Sequence, residues 1–162
     1  MPVLNRLFPK QIDNTYRGFW LAVWLLMPIV FVKMVMGVNM LLNARELAQS
    51  ADGIPLDSFG ALPAAIIVVD FMTGGLERIV LASLGLVALI RYRAMLPLVY
   101  LLFAIDAVGL MVIWKTNPLP IAPSSGGHSV GYSINLTLAA ALLVGFALSL
   151  GKKSVAAERP NA

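Results

Sequence analysis

The stretch AAIIVVDFMTGGLERIVLASLGLVALI, residues 64–90, decides the reading of this chain. It is apolar for far longer than a helix of a water-soluble domain needs, yet Asp70, Glu77 and Arg78 stand inside it. A bilayer core ~30 Å thick takes about 20 apolar residues per helix. Residues 64–90 meet that length, and so do 19–42, 96–114 and 132–150. The expected fold is therefore all-α: an antiparallel bundle of four transmembrane helices forming one domain over residues 1–162. Too little chain remains outside the spans for a second, soluble domain.

Orientation follows from lysine and arginine near the span ends. Arg6, Lys10 and Arg17 precede the first span, Arg91 and Arg93 join the second to the third, and Lys152, Lys153 and Arg159 follow the fourth. The other two connections carry only Arg45 and Lys115, beside Glu46, Asp52 and Asp57. Both termini are expected in the cytoplasm, with the protein in a bacterial inner membrane. The first apolar run is too long for a secretory signal and lacks a small-residue cleavage site, so it reads as a span. The basic balance suits anionic lipid at the cytoplasmic face rather than nucleic acid. The chain has no cysteine, which excludes disulfides and thiolate-held clusters. Its single histidine, His128, falls in an outer loop, so paired-histidine haem ligation inside the bundle is also excluded.

Working outward, residues 2–12 mix apolar side chains with Arg6 and Lys10, as an interfacial segment or a loose tail would. Asp13, Asn14 and Thr15 are good N-caps, which predicts that helix one starts there. Tyr16, Trp20 and Trp24 then anchor it at the interface, and Pro28 is expected to kink it. Residues 43–50 extend that helix beyond the lipid, until Asp52-Gly53 turns the chain and Pro55 and Pro63 limit further helix. Residues 116–130, rich in Pro, Gly and Ser, read as an extended connection. Arg91-Tyr92-Arg93 is so short that the helices on either side must be antiparallel neighbours. Ala141, Gly145 and Ser149 recur every fourth residue and allow a helix to approach closely, within the bundle or in a homodimer.

The functional expectation rests on a layer of charge. At 1.5 Å per residue, Lys33 lies about 22 Å from the cytoplasmic end of its helix, Glu77 and Arg78 about 20 Å and Asp106 about 18 Å. Asn135 and Thr137 fall at roughly 21–24 Å. Each charge near mid-bilayer costs at least ~2.5–3.5 kcal/mol. Two cations match two anions here, so the sequence predicts one paired network, with Lys33 opposite Glu77 and Asp106 held by Lys33 or Arg78. Asp70 and Thr73 share a helix face with Glu77 and are expected to line it, as are Asn135 and Thr137. Gly74 and Gly75 allow close approach of a backbone or ligand. Met27, Met34, Met36 and Met40 are spread around helix one and read as packing rather than copper ligation. Asn135-Leu136-Thr137 matches a glycosylation sequon but lies inside a span. No phosphate loop, metalloprotease helix or nucleophile elbow appears, and no metal or other cofactor is implied.

Around Glu77 the order of features resembles the DoxX family of small four-helix bacterial membrane proteins. The shared features are Lys33 late in helix one, Gly74-Gly75-Leu76-Glu77 in helix two, and Gly85-Leu86-Val87-Ala88-Leu89 before an arginine-containing turn, over residues 17–110. Here the glycines precede the glutamate, whereas that family more often places them after it, and Arg78 and Asp106 have no assignable counterpart. The resemblance implies a small membrane component associated with quinone-linked redox complexes. The residues support two classes of function. One is a non-catalytic protein, either a subunit of a membrane complex (or homo-oligomer) or a binder of an apolar small molecule such as a quinone. The other is a proton- or cation-coupled transporter using Glu77 or Asp106. Catalysis by the chain alone ranks third, because no nucleophile–base arrangement is present.

Overall fold

A computed structural model describes residues 4–9, 11–117 and 130–151. The described residues form six α-helices: α1 (Leu4–Leu7), α2 (Trp20–Leu42), α3 (Ala44–Ser50), α4 (Ala61–Ile90), α5 (Leu96–Thr116) and α6 (Val130–Leu150). Four of these are long and apolar enough to cross a membrane, and the chain is a multi-pass membrane protein. Its outer surface agrees with that: Phe31, Trp24, Leu62, Ile66 and Ile90 are largely exposed, which suits lipid and not water. His128, Lys152, Lys153 and Arg159 lie outside the described residues.

Around the bundle the spans follow the order α4, α2, α6, α5, with α5 returning to α4. This ring puts α2 and α5 on a diagonal, so side chains that join them cross the core. Tyr100 on α5 does so near the end of the bundle where Gly18 and Gly151 lie, its hydroxyl donating to the Ala22 carbonyl at 2.6 Å. The Tyr100 ring needs the room left by Gly145 of α6, where any Cβ would overlap it. Ser149 is buried and donates to the Phe146 carbonyl at 2.7 Å, and Ala141 packs against the core. The stripe of Ala141, Gly145 and Ser149 thus faces this chain's own helices.

Glycine also sets the closest helix pair. A Cβ on Gly75 would stand 2.8 Å from the Gly37 carbonyl oxygen, and one on Gly37 would stand 2.8 Å from that of Gly75. The two backbones touch because neither residue has a side chain. Further along α4, Gly85 leaves space for Val30 and Phe103. Gly74 meets only the Met40 methyl, at an ordinary 3.6 Å.

Two boundaries differ from expectation. α2 starts at Trp20, not at Asp13–Thr15, because Asp13 Oδ1 accepts the Thr15 amide at 3.0 Å and closes a local turn. Phe19 then precedes the helix in extended conformation without a side-chain cap, its amide donating to the Leu148 carbonyl at 3.3 Å. At its other end α2 does not run on through residues 43–50. Asn43 leaves helical geometry (φ −121°, ψ 34°) and α3 begins afresh. The chain reverses at Gly53, whose φ of 67° favours glycine. Ala48, Ile54, Leu56 and Ala64 then form a small core with Phe71, while Asp57 takes bonds from Arg45 and Gln49, both at 2.8 Å. α2 remains one continuous helix through Pro28.

Candidate functional site

The charged residues of the layer come to three different surroundings. Lys33 and Asp106 meet across the α2–α5 diagonal, Nζ to Oδ2 at 2.7 Å, with side chains only 6% and 11% exposed. Lys33 Nζ also lies 5.2 Å from the centre of the Phe103 ring, a cation–π distance. Val30, Phe103 and Ala107 belong to the apolar cluster that encloses the pair. An ion pair removed from solvent is stable only when both charges find partners, and here each finds the other. The expected pairing of Lys33 with Glu77 is not formed.

Arg78 is half-buried, and its Nη1 donates to the sulfur of Met40 on α2. Asp106, Asp52 and Glu77 supply the negative field around its guanidinium. The acids thus extend from the buried pair towards the α3 end of the bundle, where Asp52 lies. Met40 therefore has a polar role that residue type alone did not suggest. Met34 packs on the core, and Met27 is exposed.

Although Arg78 lies within its field, Glu77 is not enclosed by the bundle. It follows the buried Gly75 by two residues, about 200° around a helix, and so faces away from the bundle. It is exposed and makes no hydrogen bond or ion pair among the described residues. Thr73 and Asp70 lie on the same outward face, both exposed. The Thr73 hydroxyl donates to the Val69 carbonyl at 2.9 Å, as a hydroxyl on a lipid-facing helix must. Thr137 does the same on α6, donating to Ser133 at 3.0 Å, and it too is exposed. Asn135 is half-buried, and neither α6 residue bonds to the Lys33–Asp106 pair. The expected polar lining is therefore corrected: Asp70, Thr73 and Thr137 look outward because helix rotation, not depth, decides which side a residue takes.

A separate cavity of about 30 Å³ lies where residues 5–9 and 11–18 fold over the start of α5, bordered by Asp13, Tyr16, Arg17 and Ser149. That volume suits a single water. The Tyr16 hydroxyl is buried there without a hydrogen-bond partner among the described residues, and burial pushes its pKa up to about 12. Nearby, Arg93 lies over the Trp20 ring at 5.4 Å and holds the Leu89 carbonyl at 3.0 Å. Among the described residues, no three His, Asp or Glu side chains gather as a metal site.

Gly37, Tyr100 and Phe103 shape this interior and were not singled out by sequence. Gly37, a glycine within an apolar span, was the available signal. Comparison with protein-family models, curated proteins and solved structures gives no match.

Proposed function

We propose that this chain is a non-catalytic subunit of a larger membrane complex, its termini in the cytoplasm of a bacterial cell. The observation that carries this is Glu77. A carboxylate facing hydrocarbon near mid-span costs at least ~2.5–3.5 kcal/mol, and a neighbouring protein covering that face removes the cost. Asp106 is a poor coupling group, since a proton carrier must exchange with water and Asp106 is enclosed against Lys33. The resemblance to the DoxX family favours a quinone-linked redox assembly as the host complex.

The test is native electrophoresis of the tagged full-length chain, extracted in mild detergent from its own membranes. The wild type is expected to migrate well above a monomer, and Glu77→Gln to shift towards monomer without loss of abundance. A wild type that runs as a monomer refutes the reading. A second function rests on the same residue: the strip from Asp70 to Glu77 would give a proton access to a coupling carboxylate. That reading requires solute-dependent pH change in proteoliposomes, abolished by Glu77→Gln.

A further inference from the structure

Resting on the assembly reading above, we infer that the occupant of the Asp70–Thr73–Glu77 face is a transmembrane helix of a different protein. That helix presents a lysine or arginine at the depth of Glu77. The face carries two carboxylates and a hydroxyl and no cation; the only cation of α4 beside it, Arg78, donates to Met40 in the bundle and feels Asp106 and Asp52 more than Glu77. Glu77 lies about 10 Å deeper than Asp70 along the helix, and a glutamate is too short to reach a headgroup from there. Exposed Leu76, Val80, Val69 and Ile66 flank the strip, so an apolar helix with one basic residue matches it in both charge and surface.

A second copy of this chain does not fit. Two-fold packing about an axis along the membrane normal sets equal depths against each other, bringing Glu77 to Glu77 and Asp70 to Asp70. An unsymmetrical contact would need an exposed cation at mid-span on another face. Among the described residues the exposed cations are Arg17, Arg45, Arg91 and Lys115, all at or beyond helix ends. Lys33 is committed to Asp106 inside the core.

Full-length protein is reconstituted in phosphatidylcholine vesicles with a labelled leucine-alanine transmembrane peptide, and association is read by energy transfer. One peptide carries arginine at the depth of Glu77; its matches carry leucine or glutamate there. The arginine peptide is expected to bind about 5–30-fold more tightly than the leucine peptide, and the glutamate peptide more weakly than either. Glu77→Gln should erase the arginine preference, and Glu77→Asp should keep part of it. Equal binding of arginine and leucine peptides, or a preference that survives Glu77→Gln, overturns the inference. So does Glu77-dependent transfer between two labelled copies of this chain, or Glu77-dependent uptake of a lipophilic cation such as tetraphenylphosphonium. If native electrophoresis still shows a Glu77-dependent complex while the peptides bind equally, the basic partner is wrong and the assembly reading stands. A monomer in native membranes removes the assembly reading whatever the peptides do.

Discussion

Asp106 and Glu77 stand at similar depth on adjacent spans, yet their surroundings are opposite. Asp106 faces the core, bonded to Lys33 and 11% exposed. Glu77 faces outward and makes no hydrogen bond or ion pair among the described residues, with Arg78 its electrostatic neighbour. Both carry the same cost of charge in hydrocarbon. The fold meets it internally for Asp106 through Lys33 and gives Glu77 no ion pair. Position along the helix picks out an intramembrane charge, whereas helix rotation decides whether it faces the core or the outer surface.

The comparison breaks most readily at the buried pair. Lys33→Ala or Asp106→Ala should each destabilise the protein in detergent by about 3–5 kcal/mol, because the remaining charge is stranded. Combining Lys33→Ala with Asp106→Ala should cost much less than the sum of the single changes. Denaturant unfolding of the four proteins supplies the cycle, and strict additivity would mean that the two residues do not interact.

Packing beside the pair comes next. Gly75→Leu drives a side chain into the Gly37 backbone and should cost about 1–3 kcal/mol. The same change at Gly74, which has an ordinary contact to Met40, should cost clearly less. Equal losses at the two glycines would contradict the α2–α4 crossing. Tyr100→Phe removes the hydroxyl bond to Ala22 and should cost about 0.5–1.5 kcal/mol, with faster amide exchange at the Trp20 end of α2 as its local sign.

At neutral pH the smallest effect lies outside the spans, at Tyr16. Its folded pKa is raised from 10.0 to about 12, so the folded protein holds this proton more tightly than the unfolded chain. The stabilisation is complete below pH 10 and is lost as pH rises towards 12. Absorbance titration of tyrosine ionisation should show a component near pH 12 that Tyr16→Phe removes. Unchanged titration would place Tyr16 in water.

The four spans were legible because bilayer thickness fixes the length of an apolar run, and residues 64–90 meet it even with three charges inside. Position along each helix follows from the constant rise per residue, and Lys33 and Asp106 do meet. Pairing was not legible. Glu77 and Arg78 are adjacent in sequence and about 100° apart around the helix, so one looks out while the other reaches Met40. Nothing in the charge count shows which of them the bundle keeps. The start of α2 was hidden by a local contest: Asp13 can cap a helix or close a turn on Thr15, and it closes the turn. Gly37 passed as one more small residue in a span until α4 came to rest on it.

The central claim is that two carboxylates at one depth do different work, and one paired measurement addresses it. Asp106→Asn and Glu77→Gln are nearly isosteric and each removes one negative charge. Unfolding free energy of the isolated protein in one detergent compares them directly. Asp106→Asn should lose about 3 kcal/mol or more, since Lys33 is left buried without its counter-ion. Glu77→Gln should stay within about 0.5 kcal/mol of the wild type, as an exposed side chain without a hydrogen bond or ion pair does. Equal losses, or a larger loss at Glu77, would contradict the account.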